Sequence, residues 1–249
     1  MEEENLRCLN CETSLQSDFE FCPTCGQEVE SDSNLKSLFR HFLSDYFTFD
    51  SKIIRSLQPL ITKPGFLTIE YLKGKRANYI APLRMFIFLS IIFFLLLSIS
   101  SSGNIQYTDA AALDDDFYNK FFENRLPMLF FVLLPLFALI ISLLYKKQKR
   151  GMLTHFLFAL HFHSSIFILG IIYTLLSYVF VAFSMQTVNK VLLKVVSGYL
   201  AFYLWRALRK VYEESRAKTS WKFIVLAILY AILLVASSII LLLLLSINR

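Results

Sequence analysis

The side chains best placed to do chemistry are four cysteines within the first 25 residues, arranged as Cys8-x-x-Cys11, a ten-residue gap, and Cys22-Pro-Thr-Cys25-Gly26. Two CxxC knuckles at this spacing predict four thiolates around one tetrahedral metal, a short zinc ribbon. Gly26 permits the positive backbone dihedral that turns amides toward sulfur, and Pro23 stiffens the second knuckle. Four sulfurs close the coordination sphere and leave no position for a catalytic water, so the expected Zn2+ is structural. Two disulfides or a thioredoxin-like redox pair are the competing readings, and matched knuckles fit them less well. A segment this short has almost no core and is expected to keep its shape only with metal bound.

A second set of chemical groups lies in "HFLFALHFHSS": His155 near the start of an apolar run, with His161 and His163 deeper. At 1.5 Å per residue the last two fall roughly 14 to 17 Å into a helix entered near residue 152, close to a bilayer's middle, where ionisable groups are functional candidates. His161 and His163 point to nearly opposite faces and cannot share a metal on one regular helix, whereas His155 and His163 lie about 80° apart and could line one groove. The plainer reading is neutral histidines hydrogen-bonded to neighbouring spans. The expected spans contain no Asp or Glu, which weakens a proton-relay reading. A nucleophile with its base, a glycine-rich phosphate loop and an HExxH helix are all missing, so the chain leans away from enzymes.

The third set is a basic collar in "KPGFLTIEYLKGKRANYIAPLRMF", residues 63–86, which carries Lys63, Glu70, Lys73, Lys75, Arg76 and Arg84 immediately before an apolar run. Cations at such a boundary gain about 1 kcal/mol each from an anionic leaflet, and together with Glu70 they form a candidate lipid-phosphate site. The alternative is that they only set membrane orientation.

The elements that must position these groups follow from composition. Of the 249 residues 56% are hydrophobic and 18% charged, too apolar for an ordinary soluble fold. The expected class is an all-α polytopic membrane protein of about five transmembrane helices with a small N-terminal zinc ribbon. Spans are expected near 82–101, 127–145, 153–183, 187–208 and 222–246. The third is the least regular, since 31 helical residues extend roughly 46 Å and must tilt, kink near Gly170 or protrude. The organisation divides into 1–32, ribbon and acidic linker; 33–81, cytoplasmic amphipathic and interfacial helices; and 82–249, the helical bundle. In the middle part Leu35, Leu38, Phe39, Phe42, Leu43, Tyr46 and Phe47 repeat at helical spacing, capped by Ser33 or Asn34, and a second helix is expected over 50–61.

Net charge is +6, but the basic residues flank apolar runs and the first 32 residues carry nine acidic side chains against Arg7 alone, so no nucleic-acid partner is expected. The start of the chain lacks the basic and apolar regions of a secretory signal. Connections "KKQKR" and 206–222 are basic, while 102–126 is rich in Asp, which places the N-terminus in the cytosol and, with five spans, the C-terminus outside. The thiols then occupy a reducing compartment.

With these motifs in view, the chain resembles the bacterial domain-of-unknown-function family 3667 through its CxxC and CPxCG head, "TKPGFLTIEYLKGKRANYIAPLRMF" and "HFLFALHFHS". The middle motif is similar to the family's Arg-Pro-Gly, Glu-Tyr-Leu, Gly-Lys-Arg, Tyr, Asn-Pro pattern and departs from it at Lys63 and Ala81. The resemblance implies a ribbon-headed multi-span protein of the bacterial inner membrane and no particular reaction. The first functional expectation is a non-enzymatic adaptor or assembly factor, its acidic ribbon binding a basic cytosolic protein while the collar holds anionic headgroups of the cytoplasmic leaflet. The alternatives are a small-solute transporter or channel lined by His155, His161 and His163, and a lipid-headgroup-modifying enzyme using Glu70, Lys73, Lys75, Arg76 and His41.

Overall fold

The computed structural model describes residues 6–16, 18–29, 52–102 and 126–247. The amphipathic helix expected over 35–47, with His41, and the Asp-rich connection between the first two spans lie outside them. The described chain is helical, with isolated bridges in the cysteine head and no strand. Its helices are α1 Lys52–Thr62, α2 Phe66–Leu72, α3 Pro82–Ser102, α4 Leu126–Leu144, α5 Met152–Ala182, α6 Gln186–Tyr212 and α7 Arg216–Ile247.

Local chemistry sets the breaks. Pro64 and Gly65 separate α1 from α2, with Gly65 in the left-handed region at φ 73°. A Cβ there would lie 3.1 Å from both the Ala207 carbonyl oxygen and the Val211 side chain, so this corner reaches α6 at a distance that glycine allows. Gly74, at φ 84°, ends the turn after α2. Pro82 opens α3, where its missing N–H breaks no helical bond.

Among the described residues five helices are long and apolar enough to cross a membrane: Pro82–Ser100, Pro127–Leu144, Met152–Ala182, Gln186–Tyr212 and Arg216–Ser237. The long third span, α5, runs unbroken through Gly170. A Cβ on Gly170 would meet the Phe93 ring at 2.5 Å, so this glycine admits an aromatic side chain from α3 and does not interrupt the helix.

Helix α5 is the axis of the bundle and packs against α1, α2, α3, α4 and α6, while α7 closes over α4 and α6. Phe158 and Phe167 of α5, Phe86 of α3 and Leu133, Phe137 and Ile141 of α4 are fully buried in the core. The outer faces are the reverse of a soluble protein's: Ile91, Leu95 and Ile99 on α3, Leu143 on α4, Leu175 and Val179 on α5 and Ile228, Ile232 and Val235 on α7 are exposed. Apolar faces outside and histidines and hydroxyls inside mark a multi-pass membrane protein.

Candidate metal centre and its collar

The two cysteine knuckles are built identically. In the first, the Cys8 N–H donates to Thr13 O, Glu12 N–H to Cys8 O and Leu15 N–H to Leu6 O. In the second, Cys22 N–H donates to Gln27 O, Gly26 N–H to Cys22 O and Val29 N–H to Glu20 O, the same bonds at the same offsets. Glu12 (φ 63°) therefore occupies the left-handed position that Gly26 (φ 70°) holds in the second knuckle.

The knuckles face each other with all four Sγ atoms within 4.8 Å. Cys8 and Cys25 sulfurs are 3.6 Å apart, and those of Cys11 and Cys22 3.5 Å. A disulfide needs about 2.05 Å, and none of the four cysteines forms one. Four sulfurs around a zinc at 2.3 Å stand about 3.8 Å apart on each tetrahedral edge, so the donor set fits a single metal ion. A hydrogen bond to the Thr13 hydroxyl, 3.2 Å away, is the main influence holding the Cys11 thiol down to about 6, while burial pushes Cys25 up to about 12. The unequal thiols become equivalent ligands only when a cation replaces their protons.

The head is seated on the collar. The Gln27 side chain, buried in the contact, donates through Nε2 to the Gly74 carbonyl at 2.7 Å. Its Oε1 accepts from the N–H groups of Arg76 at 3.0 Å and Ala77 at 3.1 Å. Asn10 Nδ2 donates to Asn78 Oδ1 at 3.3 Å, and the Leu9 side chain lies where a Gly74 Cβ would stand, 2.7 Å from it. One amide thus satisfies three backbone groups of the turn after α2, and Gly74 is needed both for its φ and for room.

The six collar residues named from the sequence have different neighbours. Glu70 pairs with Lys73 at 3.4 Å and Lys75 at 3.5 Å. The Arg76 guanidinium lies 5.1 Å over the Tyr71 ring, and Arg84 is half-buried in the first turn of α3. Lys63 stands 5.5 Å over the Phe66 ring in a separate cleft with Arg55.

The histidines are likewise distributed. His155 Nδ1 shares a 2.8 Å hydrogen bond with the Tyr212 hydroxyl of α6. His161 Nδ1 is 3.0 Å from the Thr68 hydroxyl of α2. His163 Nδ1 donates to the Ala159 carbonyl at 2.8 Å, which leaves its Nε2 to accept from the Tyr230 hydroxyl of α7 at 2.9 Å. Each ring fastens α5 to a different element, and among the described residues the cysteines are the only metal-competent cluster.

A further cluster escaped the sequence reading. Lys222 Nζ bonds Glu214 at 2.7 Å and sits 3.9 Å over the Tyr145 ring, which stacks on Tyr212 at 3.9 Å. Gln148 Nε2 donates to the Tyr212 carbonyl at 2.8 Å, tying the α4–α5 connection to the α6–α7 connection. Nothing in the spacing of the charges in "VYEESRAKTSWK" announces a partner in another loop, and the sequence reading uses them for membrane orientation alone.

Fold and site together define a polytopic helical membrane protein whose four-cysteine head rests on a basic collar. Residues 50–94, which hold α1, α2, the collar and the first part of α3, match the model of a family described as a protein of unknown function (DUF3667). No curated protein and no solved structure matches the chain.

Proposed function

We propose that the chain is a non-enzymatic adaptor or assembly factor of the bacterial cytoplasmic (inner) membrane. Its head holds a structural Zn2+ and lies in the cytosol, where it captures a protein partner. The observation that carries this reading is the four-sulfur site, seated on the collar by Gln27. The head also exposes Leu6 and Phe21, at 41% and 58%, and the carboxylates of Glu12, Asp18 and Glu20. Apolar contacts in an acidic surround suit a partner with a basic rim around an apolar patch. The metal cross-links the two knuckles and takes no part in a reaction.

A histidine-lined transport path has less support, because His155, His161 and His163 are each engaged with a different helix. To test the adaptor reading, a photo-crosslinker is placed at Phe21 and, as a control, at lipid-facing Ile232. A defined protein product at Phe21, absent from the Ile232 control, should weaken when Glu12, Asp18 and Glu20 are changed to lysine, with the membrane portion still folded. No product specific to Phe21, or one unchanged by the charge reversal, rejects the reading.

A further inference from the structure

The corner between α1 and α2 encloses an open cleft of about 390 Å3 lined by Arg55, Gln58, Pro59, Lys63, Phe66, Asn78 and Tyr79. Its walls are fixed in place. The buried Ser56 hydroxyl accepts the Ile80 N–H at 2.9 Å, holding the segment before α3 against α1. Tyr199 of α6 donates to the Ile61 carbonyl at 2.5 Å, and Phe66 and Tyr79 meet edge to face at 6.2 Å.

The cleft is also strongly positive. Lys63 and Lys210 flank the Phe66 ring at 5.5 and 5.4 Å, and Arg55 stands on the neighbouring wall. Among the described residues none of these three cations has an acidic partner, whereas Lys73, Lys75 and Lys222 all do. Burial, reinforced by Glu70, keeps the Tyr79 hydroxyl above its ordinary pKa against the pull of Lys75 and Arg55, so it remains a hydrogen-bond donor at neutral pH. Gln58 and Asn78 add amide N–H groups.

We infer that this cleft binds a phosphate-bearing ligand, with the phosphate held by Arg55 and Lys63 and the group attached to it resting against Phe66 and Tyr79. Guanidinium and ammonium donors that are unpaired with carboxylates among the described residues match a phosphate's charge and geometry, and aromatic walls suit the carbon skeleton beside it. The volume falls in the range of small-molecule pockets, so a phosphate with a substituent fits better than the bare ion. Asn78 and Tyr79 lie just before Pro82, where the first span begins, which puts the cleft at the level of lipid headgroups. The ligand is therefore a phosphomonoester, carried by a lipid or free in solution. The site is independent of whether the head has a protein partner.

The test uses the full chain in phosphatidylcholine nanodiscs, titrated in one arm with dioctanoyl phosphatidic acid and in the other with glycerol 3-phosphate, with binding followed by native mass spectrometry and tryptophan fluorescence. Saturable binding of one ligand per chain is expected, weakened at least about 10-fold by Arg55→Gln with Lys63→Gln. Lys73→Gln with Lys75→Gln, which removes two cations already paired with Glu70, should change it less than about 3-fold. Binding in the lipid arm alone assigns a headgroup, and binding of glycerol 3-phosphate assigns a soluble ester. Tyr79→Phe, which keeps the ring in place, carries the test if the double variant fails to fold, and unchanged affinity there counts against the site. Absence of saturable binding in both arms, or equal losses in the two double variants, overturns the proposal.

Discussion

In the head, four sulfurs and two repeated sets of backbone hydrogen bonds organise residues 6–16 and 18–29, although among these described residues Cys8 and Cys22 are the only apolar ones buried. In the bundle the proportions are reversed: Leu133, Phe137, Leu157, Phe158 and Phe167 fill a dry core, and a few polar pins on α5 choose which helix lies beside which. A metal held by the first arrangement would make folding of the head conditional on one cation, because little apolar burial is there to replace it. The second spreads stability over many contacts, so that a single loss weakens the bundle without dissolving it. Gln27 joins the two regions.

The sharpest way to break this contrast is to remove the metal. Chelation, or Cys22→Ser, should abolish the ordered head, since metal-coupled folding of such sites is worth on the order of 10 kcal/mol. Limited proteolysis should then cut within residues 6–29 while the helical circular dichroism and thermal transition of the bundle stay where they were. A head that remains protease-resistant without metal, or a bundle that melts with it, contradicts the division.

The bundle's counterpart is His163→Ala. Losing the ring empties a fully buried site among Phe86, Phe130 and Phe137 and strands the Tyr230 hydroxyl, at a cost of about 2–4 kcal/mol. Detergent denaturation should register that loss with metal content unchanged. A variant as stable as the parent would mean that this histidine is held for something other than packing.

These two regions also differed in how far the sequence announced them. The CxxC spacing is local, and a run of apolar residues is its own signal, so the knuckles and the five spans could be read directly. Contacts that join distant segments could not. Gln27 looked like one more polar linker residue, because its partners at Gly74, Arg76 and Ala77 lie about fifty positions away and are backbone groups that carry no side-chain signature. Arg55, Gln58, Asn78 and Tyr79 come from both sides of the Pro64–Gly65 corner and meet only when that corner folds against α6. The histidines stood out by their depth, but their partners Thr68, Tyr212 and Tyr230 follow from helix packing alone. Glu12 was invisible for the opposite reason: the second knuckle's glycine suggested a rule that the first knuckle does not follow.

A smaller effect tests the joint. Gln27→Ala leaves the Gly74 carbonyl and the Arg76 and Ala77 N–H groups without their amide, which costs about 1–3 kcal/mol. Faster hydrogen exchange at Arg76 and Ala77, with metal binding unchanged, would show the head loosening from the collar as a folded unit. Loss of metal together with docking would make the joint part of the head's own stability.

The smallest effect separates conformation from packing inside the head. Glu12 and Gly26 share one backbone state, but a side chain in the left-handed region costs about 1 kcal/mol that glycine avoids. Glu12→Gly relieves that cost and adds freedom to the unfolded chain, which offsets part of it, so the gain in metal retention should be slight, less than about 5-fold in a chelator competition. Gly26→Ala imposes the same conformational cost in the other knuckle and also stiffens the unfolded chain. A Cβ there meets nothing within 4 Å, so any weakening, again about 5-fold or less, comes from φ and not from a clash. Opposite signs for the two changes are what matched knuckles require. A loss of metal from Glu12→Gly would show instead that the Glu12 side chain itself supports the site, and the two halves of the head would then differ in chemistry as well as in sequence.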